Sequence, residues 1–546
     1  MKQIIRSATV TLLAIGLVTP SLATATAQAG DGVPLPHFVE ETATAGIDQV
    51  YDGEFAFFVG GGVGVFDCDA DRRPDLYIAG GTELASLYRN ASPIGGALLF
   101  DEIVDEATGM TEVTGAYPID IDGDDIVDLV VLRRGENVLL RGLGDCTFER
   151  ANETWGFDGQ SDWTVAFSAK WEAGAARPTL ALGDYLTIVD PGEQPICDDS
   201  ALYRPEADGS DYAKPMALIP GYCSLSMLFS DWDRSGRSDL RVSNDRQYSI
   251  DGEEQLWRVE ADQAARLWTR DEGWERLRIF GMGIASQDLS GDGYPELYIT
   301  SMGDNKLQAL SDGPDRPSYE DIALDRGVTA TQPFAGGEAL PSTAWHAEFD
   351  DVNNDGRMDL FVSKGNVDAM PEAAARDPNN LLLGKPDGSF KEAAELAGIL
   401  DFGRSRGAAV VDLNLDGLLD LIVVERREPV RLWRNVGQGS PDDPAAMGNW
   451  LSIELSQDGP NVDAIGSWVE VRSDGQTVAR ELTIGGGHAS GQLGPMHFGL
   501  GDASEAEIRV TWPGGERTGW MPTMANKRVS IERGNDAPVD LETAEG

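Results

Sequence analysis

The sequence predicts an all-β chain: a seven-bladed β-propeller followed by a small β domain. Three observations carry this reading. An acidic loop recurs six times along the 546 residues. Each copy runs into a short apolar segment of strand character. The spacing between copies leaves room for about four strands, the content of a propeller blade.

The fullest loop is Asp120-Ile121-Asp122-Gly123-Asp124-Asp125-Ile126-Val127-Asp128-Leu129. Counting Asp120 as position 1, acids stand at positions 1, 3, 5 and 9. Asp67, Asp69, Asp71 and Asp75 make another copy, and Asp231, Asp233, Ser235 and Asp239 a third. Asp288, Ser290, Asp292 and Glu296 follow, then Asp351, Asn353, Asp355 and Asp359, then Asp412, Asn414, Asp416 and Asp420. Alternate side chains on a turning backbone point at one centre. An all-oxygen donor set suits a hard cation, calcium first; magnesium demands octahedral geometry and holds its waters. The carbonyl at position 7 adds a donor from Arg73, Ile126, Arg237, Tyr294, Arg357 or Leu418. The loops are therefore candidate sites for up to six Ca2+ ions. Ser235 and Ser290 make two of them weaker.

Position 10 is leucine in every copy: Leu76, Leu129, Leu240, Leu297, Leu360 and Leu421. Position 12 is always apolar: Ile78, Val131, Val242, Ile299, Val362 and Val423. An EF-hand needs a bidentate glutamate there and a helix after it. The β-branched residues exclude that motif and place a strand after the loop.

The loops begin at 67, 120, 231, 288, 351 and 412. The second step is about twice the others, which implies a copy near 170 that has lost its ligands. Ala169-Lys170-Trp171-Glu172-Ala173-Gly174, followed by Thr179-Leu180-Ala181-Leu182, fits that place. Other elements recur as well. Phe100-Asp101-Glu102 leads to Thr108-Gly109-Met110, and Tyr319-Glu320-Asp321 to Arg326-Gly327-Val328. Phe390-Lys391-Glu392 leads to Ala397-Gly398-Ile399, and Phe38-Val39-Glu40 to Ala45-Gly46-Ile47. Leu87-Tyr88-Arg89-Asn90 and Leu432-Trp433-Arg434-Asn435 follow loops. Radial repetition leaves only short protected edges, which favours a propeller over a solenoid of shorter turns.

These loops, with their following strands, resemble the FG-GAP and VCBS repeats of integrin-α-like seven-bladed propellers, over residues 35 to 440. The resemblance implies calcium bound between adjacent strands of a blade. Beyond a linker at 437–444 come Asn449-Trp450-Leu451-Ser452-Ile453, Asp463-Ala464-Ile465-Gly466, Gly485-Gly486-Gly487-His488-Ala489-Ser490 and His497-Phe498-Gly499. Residues 446 to 533 are similar to the ASPIC/UnbV domain that follows such propellers in the cartilage acidic protein group. Val462 and Ala464 replace the family's Arg and Gly, so no role of that arginine is carried over. From Gly534 to Gly546 the tail is acidic and reads as disordered.

The first 29 residues read as a signal peptide. Lys2 and Arg6 precede an apolar run from Val10 to Val18, and Ala25-Thr26-Ala27 and Ala27-Gln28-Ala29 offer cleavage sites. No later stretch is long and apolar enough to span a bilayer. The expected location is secreted or periplasmic. Cys68, Cys146, Cys197 and Cys223 then favour disulfides, with three possible connectivities. Loop closure favours Cys197–Cys223, leaving Cys68–Cys146. The net charge of −49 repels nucleic acid and anionic lipid.

Catalysis has little support. His37, His346, His488 and His497 show no nucleophile–base or metal spacing. His488 and His497 near Ser490 read as packing residues. Trp163, Trp171, Trp232, Trp257, Trp268 and Trp345 read as core more readily than as sugar platforms. The leading expectation is a non-enzymatic binding or adhesion module for an extracytoplasmic protein or glycan. The alternative is an exported enzyme acting on polysaccharide or a secondary metabolite. A pocket with convergent acids at the propeller's central mouth would distinguish them.

Overall fold

The computed structural model describes residues 32–187, 195–209, 211–245, 251–261 and 263–541. Residues 1–29, read from the sequence as a signal peptide, lie outside the described residues. The acid at position 9 opens a strand in each acidic repeat: Asp75–Ile78, Asp128–Gly135, Asp239–Asn244, Glu296–Ser301, Asp359–Lys364 and Asp420–Glu425. Side chains alternate across a strand. Positions 10 and 12 therefore share a face, and all twelve residues there are buried.

The strand before each loop pairs antiparallel with the strand after it. These first strands are Val63–Phe66, Val113–Ile119, Ser224–Ser230, Gly281–Gln287, Ala344–Asp350 and Ser405–Val411. Each acidic loop is thus a hairpin between the first two strands of a repeat. Third strands add outward, and Phe100–Ile103, Phe148–Arg150, Tyr319–Asp321 and Phe390–Glu392 add as fourth. A helical turn follows two of these and also Phe38–Glu40: Thr42–Ala45, Ala323–Arg326 and Ala394–Ala397. Gly46, Gly327 and Gly398 end those turns with φ of +79° to +91°. Only glycine adopts that conformation without a Cβ penalty, which accounts for the recurring glycine.

The ligand-free repeat keeps its strands: Asp162–Lys170, Thr179–Asp184, Ser200–Tyr203 and Met216–Leu218 pair in order. The Lys170 ammonium, at the end of the first of them, donates to the carbonyls of Ser238 and Val259 at 2.7 Å. Each first strand packs beside the next one along the chain, and Ser405–Val411 returns to Val63–Phe66. Phe38–Glu40 closes the sheet of Arg431–Asn435 from the other end of the chain. The result is an all-β propeller. Disulfides join Cys68 to Cys146 and Cys197 to Cys223, the pairing that loop closure favours. Trp163, Trp232, Trp257 and Trp345 are buried, as core residues are.

The C-terminal region holds two four-stranded sheets. One orders Met496–Gly501, Asn449–Ser456, Lys527–Glu532 and Val539–Asp540. The other orders Gln476–Glu481, Trp468–Ser473, Glu505–Thr511 and Met521–Met524. Leu451, Val469, Phe498, Ile508 and Ile531 pack into one core with neighbouring apolar side chains. The ordered region runs past 533, because Val539 and Asp540 pair with Ser530 and Val529. This corrects the reading of disorder from 534 onward for that stretch; residues 542–546 lie outside the described residues.

One segment leaves the sandwich. Between Gln476–Glu481 and Met496–Gly501 the chain enters the ring of first strands. Ile484 and Gly485 pair with Ala169 and Ser168, and Gly485 also with Leu228. Gly487 bridges Ile284, Ser490 bridges Ala116, and Gly491 and Gln492 run parallel to Gly64 and Val65. The propeller and the C-terminal region therefore share strands and belong to one compact unit from Val33 onward.

Candidate functional site

The six loops share one backbone path. Residues at positions 4 and 6 are left-handed in all of them. Position 4 is Ala70, Gly123, Arg234, Gly291, Asn354 or Leu415, and position 6 is Arg72, Asp125, Gly236, Gly293, Gly356 or Gly417. This double reversal turns the position-1 carboxylate onto backbone N–H groups of its own loop. Asp120 accepts from Gly123 and Asp125 at 2.7 and 2.8 Å. Asp288 accepts from Gly291 and Gly293, Asp351 from Asp355 and Gly356, and Asp412 from Asp416 and Gly417. Asp67 accepts from Asp71 and Arg72, and Asp231 from Gly236.

The position-9 acid ties the loop to the sheet. Asp128 accepts from the N–H of Ile121 and of Gly142, Asp75 from Cys68 and Asn90, Asp359 from Val352 and Gly384, and Asp420 from Leu413 and Asn435. Glu296 accepts from Leu289. Asp239 departs from this pattern: one of its oxygens takes the indole N–H of both Trp232 and Trp268. Position 9 thus has a structural duty in each loop.

Among the described residues, ligand atoms of three acids gather closely in two loops: Asp67, Asp69 and Asp71, and Asp120, Asp122 and Asp128. Asp75 lies instead beside the Cys68–Cys146 disulfide, whose sulfurs are already bonded to each other. In the other four loops Ser235, Ser290, Asn353 and Asn414 hold position 3 or 5, so fewer carboxylates meet. Arginines stand at the edges. Arg141 reaches Asp122 at 2.8 Å and Asp124 at 2.7 Å, and Arg89 reaches Asp69 at 3.0 Å. Arg73 pairs with Asp71, Arg357 with Asp355 and Arg237 with Asp233.

Burial is the main influence on these acids and disfavours their charged form. It lifts Asp120 and Asp231 to about 6, Asp75 and Asp412 to about 7, and Asp128 to about 8. Asp351, Asp359 and Asp420 rise well above the ordinary range, with neighbouring carboxylates adding to burial. Backbone donors pull the other way. The buried Oδ1 atoms of Asp122, Asp231 and Asn414 have no hydrogen-bond partner.

The axial segment accounts for the histidines. The N–H of Gly60 donates to His488 Nε2 at 3.1 Å, and His488 Nδ1 lies 3.3 Å from the Leu225 carbonyl. That pattern fits a neutral ring carrying its proton on Nδ1. Burial holds its pKa down at about 3, with Arg406 and His346 adding. The ring packs against Trp345, centroids 5.1 Å apart, and the Arg406 guanidinium lies 4.1 Å over that tryptophan. Ser490 Oγ accepts from the Val63 N–H. His497 Nε2 contacts Asn354 Oδ1, inside the fifth acidic loop, at 2.6 Å. His488, Ser490 and His497 are thus spread over separate packing contacts. His37 lies apart on the outer sheet edge, where its N–H meets the Gly437 carbonyl. The Gly485-Gly486-Gly487 run was visible in the sequence. The segment's partners, Ser168, Met227 and Ile284 for the glycines and Gly60 and Val63 for His488 and Ser490, had no local signal.

Residues 351–423 match the model for an FG-GAP-like repeat, and residues 457–538 match the model for ASPIC and UnbV. The first match starts at Asp351 and spans the fifth and sixth loops. The chain is a propeller protein carrying an FG-GAP-like repeat and a C-terminal ASPIC/UnbV domain. It is similar to cartilage acidic protein 1 of Mus musculus, 24% identical over 260 residues, covering 47% of this chain and 36% of that protein. The Homo sapiens protein of the same name is 24% identical over 241 residues, covering 43% of this chain and 33% of its own length. The match spans about a third of the length of these relatives. Among solved structures, the chain resembles BBS1N, crystallised in complex with ARL6DN, at a TM-score of 0.41 and 10% identity, covering 72% of this chain and 96% of that one. It also resembles Saccharomyces cerevisiae Sqt1 at a TM-score of 0.39 and 12% identity, covering 74% and 99%. Among the described residues no helix is long and apolar enough to cross a membrane.

Proposed function

We propose that this chain is an exported, calcium-bound propeller of seven blades, spanning about 35 to 440, that serves as a non-enzymatic binding module for an extracytoplasmic protein or glycan. The six acidic loops hold the calcium. The observation that carries this part is the set of buried, unpartnered oxygens on Asp122, Asp231 and Asn414. A buried acceptor without a donor costs about 1–3 kcal/mol, and a hard dication is the group an all-oxygen set satisfies. Bound calcium would supply positive charge where burial and mutual repulsion now raise the carboxylates. The loop residues do the rest: positions 1 and 9 fix the turn through backbone donors, and their remaining oxygens join positions 3 and 5 in facing the ion. Arg141 and Arg89 would have to swing off Asp122, Asp124 and Asp69.

Two disulfides support export, because such bonds persist in oxidising compartments. The enzyme alternative called for a pocket at the central mouth. Gly485–Gly491 runs through the axis, and an acid-lined cavity opens beside it between the loop face and the C-terminal sandwich, so activity measurement decides between the two readings. The test is calorimetric calcium titration of the purified chain, followed by a glycan and extracellular-protein binding screen with and without calcium. Uptake near six ions, with ligand capture lost on chelation, is the expected result. Absence of uptake would remove the calcium part, and hydrolysis of a captured glycan would favour the enzyme.

A further inference from the structure

Between the loop face of the propeller and the C-terminal sandwich lies a cavity of about 730 Å3, within the size range of small-molecule sites. Ala70, Asp125, Asp145 and Gly494 are exposed at its rim, and the axial glycines Gly485 to Gly487 form part of its depth. Its walls are largely apolar, with Val65, Ile284, Ala347, Val410, Ile453 and Leu482 among them.

Three carboxylates of the C-terminal region, Glu454, Asp463 and Glu481, line this space. Glu481 accepts from the Ser230 hydroxyl and the Asp231 N–H; Glu454 and Asp463 have no such donors, and neither belongs to an acidic loop. Asp463 is half-buried, and the charged groups acting on it are Asp120, Asp125 and Glu454, all acids. Neither the Asp463 nor the Glu454 side chain makes a hydrogen bond among the described residues. The cavity's cations are engaged elsewhere or stand on the Glu454 side. Arg480 donates to Asp350 and to the His497 carbonyl. Arg72 donates to the Leu541 carbonyl and, with Arg528, acts on Glu454.

A carboxylate on a cavity wall with no side-chain donor gains from a cation brought within reach. A bare metal ion fits poorly: Asp463 and Glu454 join no group of three close ligand atoms, and an ion would leave the apolar walls uncovered. A neutral ligand would leave the charge unpaired. We infer that this cavity binds a small organic cation, an ammonium group set against Asp463 and Glu454 with an aliphatic or aromatic body against the apolar walls.

The experiment uses the full chain saturated with calcium and titrates 2-phenylethylamine and its neutral counterpart 2-phenylethanol by calorimetry. The amine should bind, and the alcohol at least about tenfold more weakly, because losing one member of an enclosed charge pair costs more than one factor of ten. Asp463→Asn should lower amine affinity about tenfold and leave alcohol binding and calcium uptake unchanged. Glu454→Gln provides a second variant should Asp463→Asn fail to fold, with the same expected direction. Equal binding of amine and alcohol, no binding of the amine, or a variant that binds the amine as the parent chain does would each overturn the inference.

Discussion

At the scale of residues, the loops depend on backbone conformation as much as on charge. Gly236 has φ +79° and nothing within 4 Å of where a Cβ would stand. Gly236→Ala therefore isolates the left-handed penalty, about 1 kcal/mol, and should lower the midpoint of urea unfolding without changing its slope. Glu425 offers a pH test away from the loops. Burial lifts its pKa to about 8, with Asp401 adding and Ser405 opposing through a hydrogen bond. A folded-state value raised above the unfolded one gives stability that is full at low pH and lost as pH rises through the folded value. Stability should fall between about pH 5 and pH 8. Glu425→Gln should flatten that slope, raising Tm at pH 8 and leaving it nearly unchanged at pH 5. A variant whose Tm tracks the parent at both pH values would contradict this account. The sequence made the acidic loop positions readable, because acids at fixed offsets leave little choice. It did not make the second duty of position 9 readable. Trp232 stands in the loop itself and Trp268 just past the strand Arg266–Leu267, and the meeting of their indoles on Asp239 depends on the folded sheet.

At the scale of elements, each repeat is a hairpin whose loop and second strand are joined by one acid. Replacing Asp128 with Ala removes the acceptor for Ile121 and Gly142 at a buried site. Two orphaned donors cost about 1–3 kcal/mol each. Asp124→Ala loses only the Ile126 hydrogen bond and an exposed pairing with Arg141, so in calcium-free buffer it should cost less than Asp128→Ala. Equal losses would show that position 9 has no special structural role. The axial segment is the element that sequence reading missed. Gly115 and Gly62 face the Ala489 carbonyl so closely that a Cβ at either would collide with it. Gly115→Val should expel Gly485–Gly491 or strain it, at a cost of about 3 kcal/mol. Limited proteolysis should then cut within 482–495, where the parent chain resists. The repeats were legible because a period repeats; an insertion made once, between sheets far apart in sequence, has no period to find.

At the scale of the whole molecule, the ring closes in three ways: Phe38–Glu40 completes the last sheet, Cys68–Cys146 ties the first repeat to the second, and the axial segment touches strands around the ring. The acidic loops all lie at hairpins between first and second strands, so what they bind acts on the entire ring. A ligand that binds only the folded form adds about 2.7 kcal/mol per site at a hundredfold excess over its Kd. Six loops make that term large even if several sites are weak. The central claim is that the loops are calcium sites on which the propeller's stability rests. Its most direct test is a thermal melt of the chelator-stripped chain against added calcium, with magnesium as the control and calorimetry reporting uptake. Tm should climb by many degrees with calcium and respond weakly to magnesium. A melting curve that calcium leaves unmoved, with no uptake detected, would contradict the claim and leave the loops as acidic turns held by their own backbone.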